Sequence, residues 1–165
     1  MLDVYLDIKS PHAYLAVRPS LEVARDYKVR INFLPYTLSY VAFGLTTSVD
    51  PDNKRRPANP AADRKARMYY TAARQYAALQ GLPFRNPYRL LDSALANKAF
   101  LFAKHQGVEV PFLMQIYVQG WGSGWRDYGI ESLDQLRGTL VEIGAHTDRF
   151  EAYMASNGTC LLYTS

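Results

Sequence analysis

The turn Ser10-Pro11-His12 places a hydroxyl and an imidazole where an alternating apolar pattern gives way to a helical one. Ser is a preferred N-cap and Pro is favoured in the first helical turn, so a helix start explains this turn without any function. A helix N-terminus also offers free N–H groups and a partial positive charge, which favour a bound anion such as a thiolate. Ser10 is therefore interpreted both as a cap and as a ligand of such an anion.

The elements around this turn predict a βαβ unit. Residues 2–8 alternate apolar and polar positions as a strand does, the pattern is helical from Pro11 onward, and residues 29–35 predict a second strand. Such crossovers are almost always right-handed and parallel. Ser10 then lies at the carboxyl end of the first strand, which faces the crevice where α/β proteins bind ligands. Pro19 is expected to kink or divide the helix.

The remainder of the chain is predicted to be helical after a polar loop over residues 44–60. The first helix, residues 61–80, carries Met68, Tyr69, Ala72, Tyr76 and Leu79 along its apolar face, and Gly81 ends it. Further helices are predicted over residues 92–106, 109–119, 131–143 and 146–155. The domain prediction is a βαβ half over residues 1–40 and a helical insertion over residues 41–155.

Composition limits the chemistry. Cys160 is the one cysteine, which excludes an intrachain disulfide and a CxxC pair, so any thiol must come from outside. The net charge of +4 is concentrated in residues 54–67 and suits a small anionic ligand or solvent; no nucleic-acid motif accompanies it. His105 and His146 have no partners at ligand spacing, so no metal site is expected. The absence of a long apolar run and of a signal peptide predicts a cytoplasmic protein without membrane contact.

Ser10-Pro11-His12-Ala13 resembles the Cys-Pro-His-Cys of DsbA-type thioredoxin folds with both cysteines replaced. The opening YLDIKSPHAYLAVRPSLEVA resembles 2-hydroxychromene-2-carboxylate isomerases and the related kappa-class glutathione transferases, and the stretches NFLPYTL, PAADRKARMYYTAARQYAALQGLPF and WRDYGIESLDQL continue the resemblance. It implies an α/β, thioredoxin-like (DsbA-like) fold with a large helical insertion. It also implies glutathione as the cofactor and a small aromatic substrate.

The resemblance assigns the catalytic role to Ser10, which would address the glutathione sulfur. It implies glutathione contacts for Ser10, Pro11, His12, Asn53 and Lys65. Asn53 lies in a D-P-D-N turn signal and Lys65 in a helical pattern, so a turn residue and a solvated helix face are the alternatives.

Two further sets of residues bear on the site. Asp92 stands where relatives tend to have Asn, and it is expected either to weaken an anion site or to cap the following helix. Aromatic residues are numerous enough to wall a pocket, although as a set they are more often core: Tyr36, Tyr40, Phe43, Tyr69, Tyr70, Trp121 and Trp125.

Three functions are compatible with these residues. The first is a glutathione-dependent isomerase of aromatic catabolism, in which a borrowed thiolate adds reversibly to an unsaturated substrate. The second is a kappa-like glutathione transferase, and the third a non-catalytic thioredoxin-like binding module. A disulfide oxidoreductase is excluded by the absence of a thiol at positions 10 and 13.

The family's closing ββα unit, with its G-V-x-G-V-P-T-F pattern, has no counterpart after Met154. Residues 156–165 are predicted to be a truncated or non-native tail without strands. Two strands rarely form a stable sheet alone, so the half-sheet is expected either to pair with a second copy or to be incomplete, with its first strand an exposed edge. The chain by itself is predicted to be poorly stable and inactive.

Overall fold

The computed structural model describes residues 1–39 and 60–156, together with the backbone of residues 163–164. The elements are β1 (Leu2–Leu6), α1 (Pro11–Asp26), β2 (Ile31–Thr37), α2 (Pro60–Leu79), α3 (Ala94–Lys104), α4 (Glu109–Ser123), α5 (Leu133–Glu142), α6 (Phe150–Ala155) and β3 (Tyr163–Thr164). The predicted elements are thus confirmed within a few residues at their ends, and the predicted 44–60 loop lies almost wholly outside the described residues.

β1 and β2 pair in parallel, with Leu2 opposite Ile31 and Leu6 opposite Pro35, which confirms the βαβ unit. Phe33 and Leu6 are buried beneath the helices, whereas Leu2 and Tyr5 are exposed. The alternation in residues 2–8 does not hold at its end: Asp7 was expected on the polar side but is buried together with Ile8. Its hydrogen bonds, described below, explain why a charged side chain is tolerated there.

α1 continues through Pro19 as one helix, so the expected division is wrong. A proline removes the N–H that would bond to the carbonyl four residues earlier, here that of Leu15. The side-chain amide of Gln80 replaces that donor at 3.1 Å from the Leu15 oxygen. Arg18 donates to the Gln80 carbonyl at 3.0 Å, so two hydrogen bonds join α1 to the residue that follows α2.

The apolar face predicted for α2 is wrong. Its large members are exposed: Met68 by 73%, Tyr69 by 48%, Tyr76 by 58% and Leu79 by 83%. The buried positions are Ala73 and Ala77, one turn apart. Small side chains permit close packing of α2 on α1. The helix therefore buries the row of alanines and leaves its large apolar side chains exposed to solvent. The end of α2 is as predicted, with Gly81 at a φ of +65°.

Aromatic side chains form the centre of the core in the helical part. Trp121 and Trp125 are fully buried, and the Trp121 ring stacks on Phe84 with centroids 5.0 Å apart. Gly120 lies directly beneath the Trp125 ring, where a Cβ would overlap ring carbons. Tyr70 packs against the same core. Trp121, Trp125 and Tyr70 therefore follow the core interpretation, whereas Tyr69 is about half exposed, and Tyr40 and Phe43 lie outside the described residues.

The C-terminal part departs from expectation at two points. α6 begins at Phe150 instead of residue 146. The His146 amide donates to Gln106 Oε1 at 2.9 Å, and Gln106 Nε2 donates to the His146 carbonyl at 3.1 Å. A strand was not predicted after Met154, yet Tyr163 and Thr164 pair in parallel with the end of β2. β1 remains an edge of the sheet formed by the described residues. Among these residues, no helix is long and apolar enough to cross a bilayer.

Candidate functional site at the start of α1

Ser10 caps α1, as predicted. Its backbone is extended, with φ −87° and ψ 125°, and its Oγ accepts a hydrogen bond from the Ala13 amide at 3.4 Å. The Ser10 amide donates to the Asp7 carbonyl at 2.9 Å, which closes the turn between β1 and the helix. Pro11 is the first helical residue. Ser10 as a residue is partly exposed, so solvent reaches the capping residue.

The structure brings Lys65 towards this turn through Tyr69. The His12 and Tyr69 rings meet edge to face, with centroids 5.8 Å apart and an interplanar angle of 83°. The Lys65 Nζ lies 5.9 Å from the Tyr69 centroid, one turn earlier on α2. His12 and Lys65 are both exposed. An imidazole, a phenol and an ammonium thus stand beside the α1 N-terminus, while the predicted contact Asn53 lies outside the described residues.

Beneath this surface, two charged side chains are buried in the turn that carries Ser10. Asp7 is 2% exposed and Lys9 6% exposed, with the Lys9 Nζ 3.4 Å from Asp7 Oδ2. Lys9 Nζ also donates to the Leu38 carbonyl at 2.8 Å, and the Leu38 amide donates to Asp7 Oδ2 at 2.6 Å. The pair therefore connects the end of β1 to the residue that follows β2.

Asn97, in the middle of α3, completes this network. Its Oδ1 accepts the Ile8 amide at 3.3 Å, and its Nδ2 lies 3.0 Å from Thr37 Oγ1 and 3.4 Å from Asp7 Oδ1. Asn97 is fully buried. The Asn97 side chain thus joins the helical part to two points of the sheet: Ile8, which lies just before Ser10, and Thr37 at the end of β2.

Sequence reasoning missed Asp7, Lys9 and Asn97. The signal present in the sequence was weak: two charges at the end of a mostly apolar strand, and one amide in a mostly apolar helix. Only the packing of α3 on the sheet shows that the three side chains are neighbours.

Two tyrosines pack behind the turn. The Tyr14 and Tyr117 rings have centroids 5.3 Å apart, and the Tyr14 hydroxyl donates to the Pro83 carbonyl at 3.2 Å. Burial raises the pKa of Tyr14 to about 12, against a smaller opposing effect of Arg18. Burial also raises the pKa of Tyr117 well above its ordinary value, and the Asp7 carboxylate adds to that effect. Both phenols therefore stay protonated at neutral pH.

Asp92 supports the capping interpretation. Its Oδ1 accepts the Ala94 amide at 2.9 Å, at the start of α3. Its own amide donates to Glu131, which also forms an ion pair with Arg89. Burial raises the pKa of Glu131, but the hydrogen bonds from Arg89 and from the Asp92 amide outweigh it, so the pKa lies below its ordinary value.

The other histidines have structural contacts. His105 ends α3 and places its ring edge to face against Tyr153, with centroids 5.7 Å apart. His146 bonds to Gln106 through its backbone. Within residues 1–39 and 60–156, no group of three His, Cys, Asp or Glu side chains is placed to hold a metal ion.

Comparison with known proteins agrees with this geometry. The family model of the DSBA-like thioredoxin domain matches residues 1–160. A 2-hydroxychromene-2-carboxylate isomerase of Pseudomonas putida is 25% identical over 165 residues, which are 99% of this chain and 75% of the relative. A solved structure of 2-hydroxychromene-2-carboxylate isomerase superposes with a TM-score of 0.66 at 24% identity, covering 95% of this chain and 72% of the other.

These findings confirm the DsbA-like thioredoxin fold and the resemblance seen in the sequence. They do not test the glutathione contacts expected of Ser10, Pro11, His12, Asn53 and Lys65, which stay predictions.

Proposed function

Because this chain belongs to the DSBA-like thioredoxin domain family, we propose that it is a glutathione-dependent isomerase of the 2-hydroxychromene-2-carboxylate type. The observation that carries the proposal is Ser10, a partly exposed residue that caps α1 at the position where a redox relative has a cysteine. A hydroxyl there cannot exchange disulfides, but it can hold a sulfur anion supplied by another molecule.

The residues of the turn are chemically suited to bind a sulfur anion. Glutathione, when bound, supplies a thiolate that adds reversibly to an unsaturated substrate and so permits rotation about a former double bond. Ser10 Oγ already accepts the Ala13 amide, and its proton is then available to donate to the sulfur. The N-terminus of α1 adds a partial positive charge at the same point. Both effects stabilise the thiolate relative to the thiol.

Lys65 and His12 supply cationic and hydrogen-bonding groups for the rest of glutathione. The molecule carries two carboxylates, and the Lys65 ammonium, which is exposed on α2, is the proposed partner of one of them. His12 and Pro11 line the first turn beside Ser10. Asn53 is proposed as a further polar contact on the strength of the family resemblance.

Tyr69 offers an apolar surface to an aromatic substrate. Its ring is about half exposed and lies between the His12 ring and the Lys65 ammonium. The Tyr69 ring contacts His12, two residues after Ser10, and on this ground we propose that a substrate ring binds on this face next to the sulfur. The sequence alone gave no reason to separate Tyr69 from the core aromatics.

The chain contains a matched control for testing Ser10. Ser132 caps α5 with the same geometry, its Oγ accepting the Gln135 amide at 3.4 Å from an extended backbone. Ser10→Ala and Ser132→Ala should each lower the free energy of unfolding by about 1 kcal/mol. Only Ser10→Ala should lose isomerisation of 2-hydroxychromene-2-carboxylate and the 240 nm absorbance of bound glutathione thiolate.

The same assays separate the other functions. Conjugation of an electrophilic aromatic without isomerisation would identify a glutathione transferase instead. Full isomerase activity in Ser10→Ala, or in wild type without glutathione, would contradict the proposed mechanism. Absence of both reactions with intact ligand binding would favour a binding module.

A further inference from the structure

Two opposite charges are buried beside the proposed sulfur site. Asp7 and Lys9 lie on either side of the fully buried Ile8, and Ser10 follows directly. Removing charged groups from water is costly unless they are paired and hydrogen-bonded. Replacing both partners of a buried ion pair by apolar residues is often neutral or stabilising, so stability alone does not account for a pair of this kind directly before Ser10.

Hydrogen bonds hold both charges fixed with respect to the turn. Asp7 Oδ1 accepts the Lys9 amide at 3.2 Å, and the Asp7 carbonyl accepts the Ser10 amide at 2.9 Å. Lys9 Nζ is held by the Leu38 carbonyl as well as by Asp7. The charges thus cannot move away when a sulfur anion arrives, and buried charges are screened less than exposed ones.

We propose that the Asp7–Lys9 pair is a positioning element that sets the electrostatic potential at the start of α1 and so tunes the acidity of a thiol held at Ser10. Lys9 stabilises the thiolate, and Asp7 limits that stabilisation while keeping the ammonium in place. For glutathione this inference rests on the proposed function, although the potential acts on any thiol at this position.

Other ionisable groups face the same point. Among the described residues they are His12 on α1, Lys65 on α2 and the Tyr117 phenol on α4, whose pKa the Asp7 carboxylate helps to raise. His12 and Lys65 are exposed, so water and salt screen their charges. Tyr117 remains protonated at the pH of the experiment below. The Asp7–Lys9 pair is buried, so water and salt screen its charges less than those of His12 and Lys65.

A thiol introduced at position 10 reports this potential without glutathione. Ser10→Cys in a Cys160→Ser background leaves one thiol, and its pKa is read from the pH dependence of iodoacetamide alkylation. Adding Lys9→Met should raise that pKa by about one unit, because the uncompensated Asp7 carboxylate disfavours the thiolate. Adding Asp7→Asn should lower it by a similar amount, and Lys9→Arg should leave it near the parent value.

The opposite signs distinguish an electrostatic role from a structural one. A turn that is merely loosened by either substitution would shift the thiol pKa in one direction, towards the ordinary value of about 8.5. The control is Asp26→Asn, which removes an exposed ion pair at the far end of α1, about 22 Å away. It should leave the pKa unchanged.

Shifts of the same sign, or no shift, in folded variants would overturn the inference. If circular dichroism shows Asp7→Asn to be unfolded, the comparison of Lys9→Met with Lys9→Arg decides, and equal pKa values overturn it. A final measurement titrates glutathione bound to the Ser10 protein at 240 nm. If the introduced thiol responds as expected but no glutathione thiolate forms, the proposed function fails while the inference stands.

Discussion

Asn97 in α3 accepts a hydrogen bond from the amide of Ile8 at the end of β1, with 3.3 Å between Ile8 N and Asn97 Oδ1. The same side chain reaches Thr37 at the end of β2. A residue of the helical part thus fixes the strand ends that present Ser10. The site is therefore built from both halves of the chain.

Asn97→Ala is expected to lower the free energy of unfolding by about 2–4 kcal/mol, because it leaves the buried Ile8 amide unsatisfied and opens a cavity. Urea denaturation measures this change. Asn86→Ala, which removes an exposed amide bonded to Arg74, is the control and should cost less than about 0.5 kcal/mol. Equal costs for the two variants would contradict the role given to Asn97.

Tyr69→Ala is expected to raise the KM for the aromatic substrate about three- to tenfold, because one aromatic contact contributes about 0.5–1.5 kcal/mol. The KM for glutathione should change little. Tyr76→Ala serves as the control, since Tyr76 is about equally exposed two turns further along α2. The KM values are measured by steady-state kinetics with each substrate varied in turn. Equal KM values for the aromatic substrate in Tyr69→Ala and Tyr76→Ala would contradict this assignment.

Gly120→Ala is expected to destabilise the protein by about 1–3 kcal/mol, because the added methyl would overlap the buried Trp125 ring. Gly138→Ala, in α5 with open space around it, should instead stabilise by about 0.5–1 kcal/mol through helix propensity. Thermal unfolding measures both changes: the Tm should fall in Gly120→Ala and rise in Gly138→Ala. A neutral Gly120→Ala would mean that Trp125 can move aside.

Stability is expected to fall between about pH 10 and 12. Burial raises the pKa of Tyr14 and of Tyr128 to about 12, while the unfolded chain releases these protons near pH 10. The folded state then holds more protons than the unfolded state, so the free energy of unfolding declines as pH rises through this window.

Tyr128→Phe should make that decline shallower in urea denaturation at pH 9 to 11.5. Thr139→Val is its control, because it removes the hydrogen bond between the two hydroxyls, 2.5 Å apart, but keeps the buried phenol. It should retain the decline. An identical slope in Tyr128→Phe and wild type would show that this tyrosine is not the cause.

The local elements could be predicted because their signals are local. The alternation before residue 7, the Ser-Pro start of α1 and the glycine after α2 each depend on backbone preferences within a few residues. The site was predictable to the same extent: Ser10 as a cap follows from its own turn. The continuity of α1 through Pro19 was not predictable, because the compensating donor is Gln80, which follows α2 and is distant in sequence.

Sequence by itself determined where the chain turns from strand to helix at Ser10, because a helix cap acts locally. Tertiary structure alone decided which side chains surround it. It buried Asp7 and Lys9, brought Asn97 to the strand ends and left Tyr69 at the surface, because burial depends on how closely α2 and α3 approach the sheet and α1. Contacts between residues distant in sequence follow from that packing and not from any local pattern.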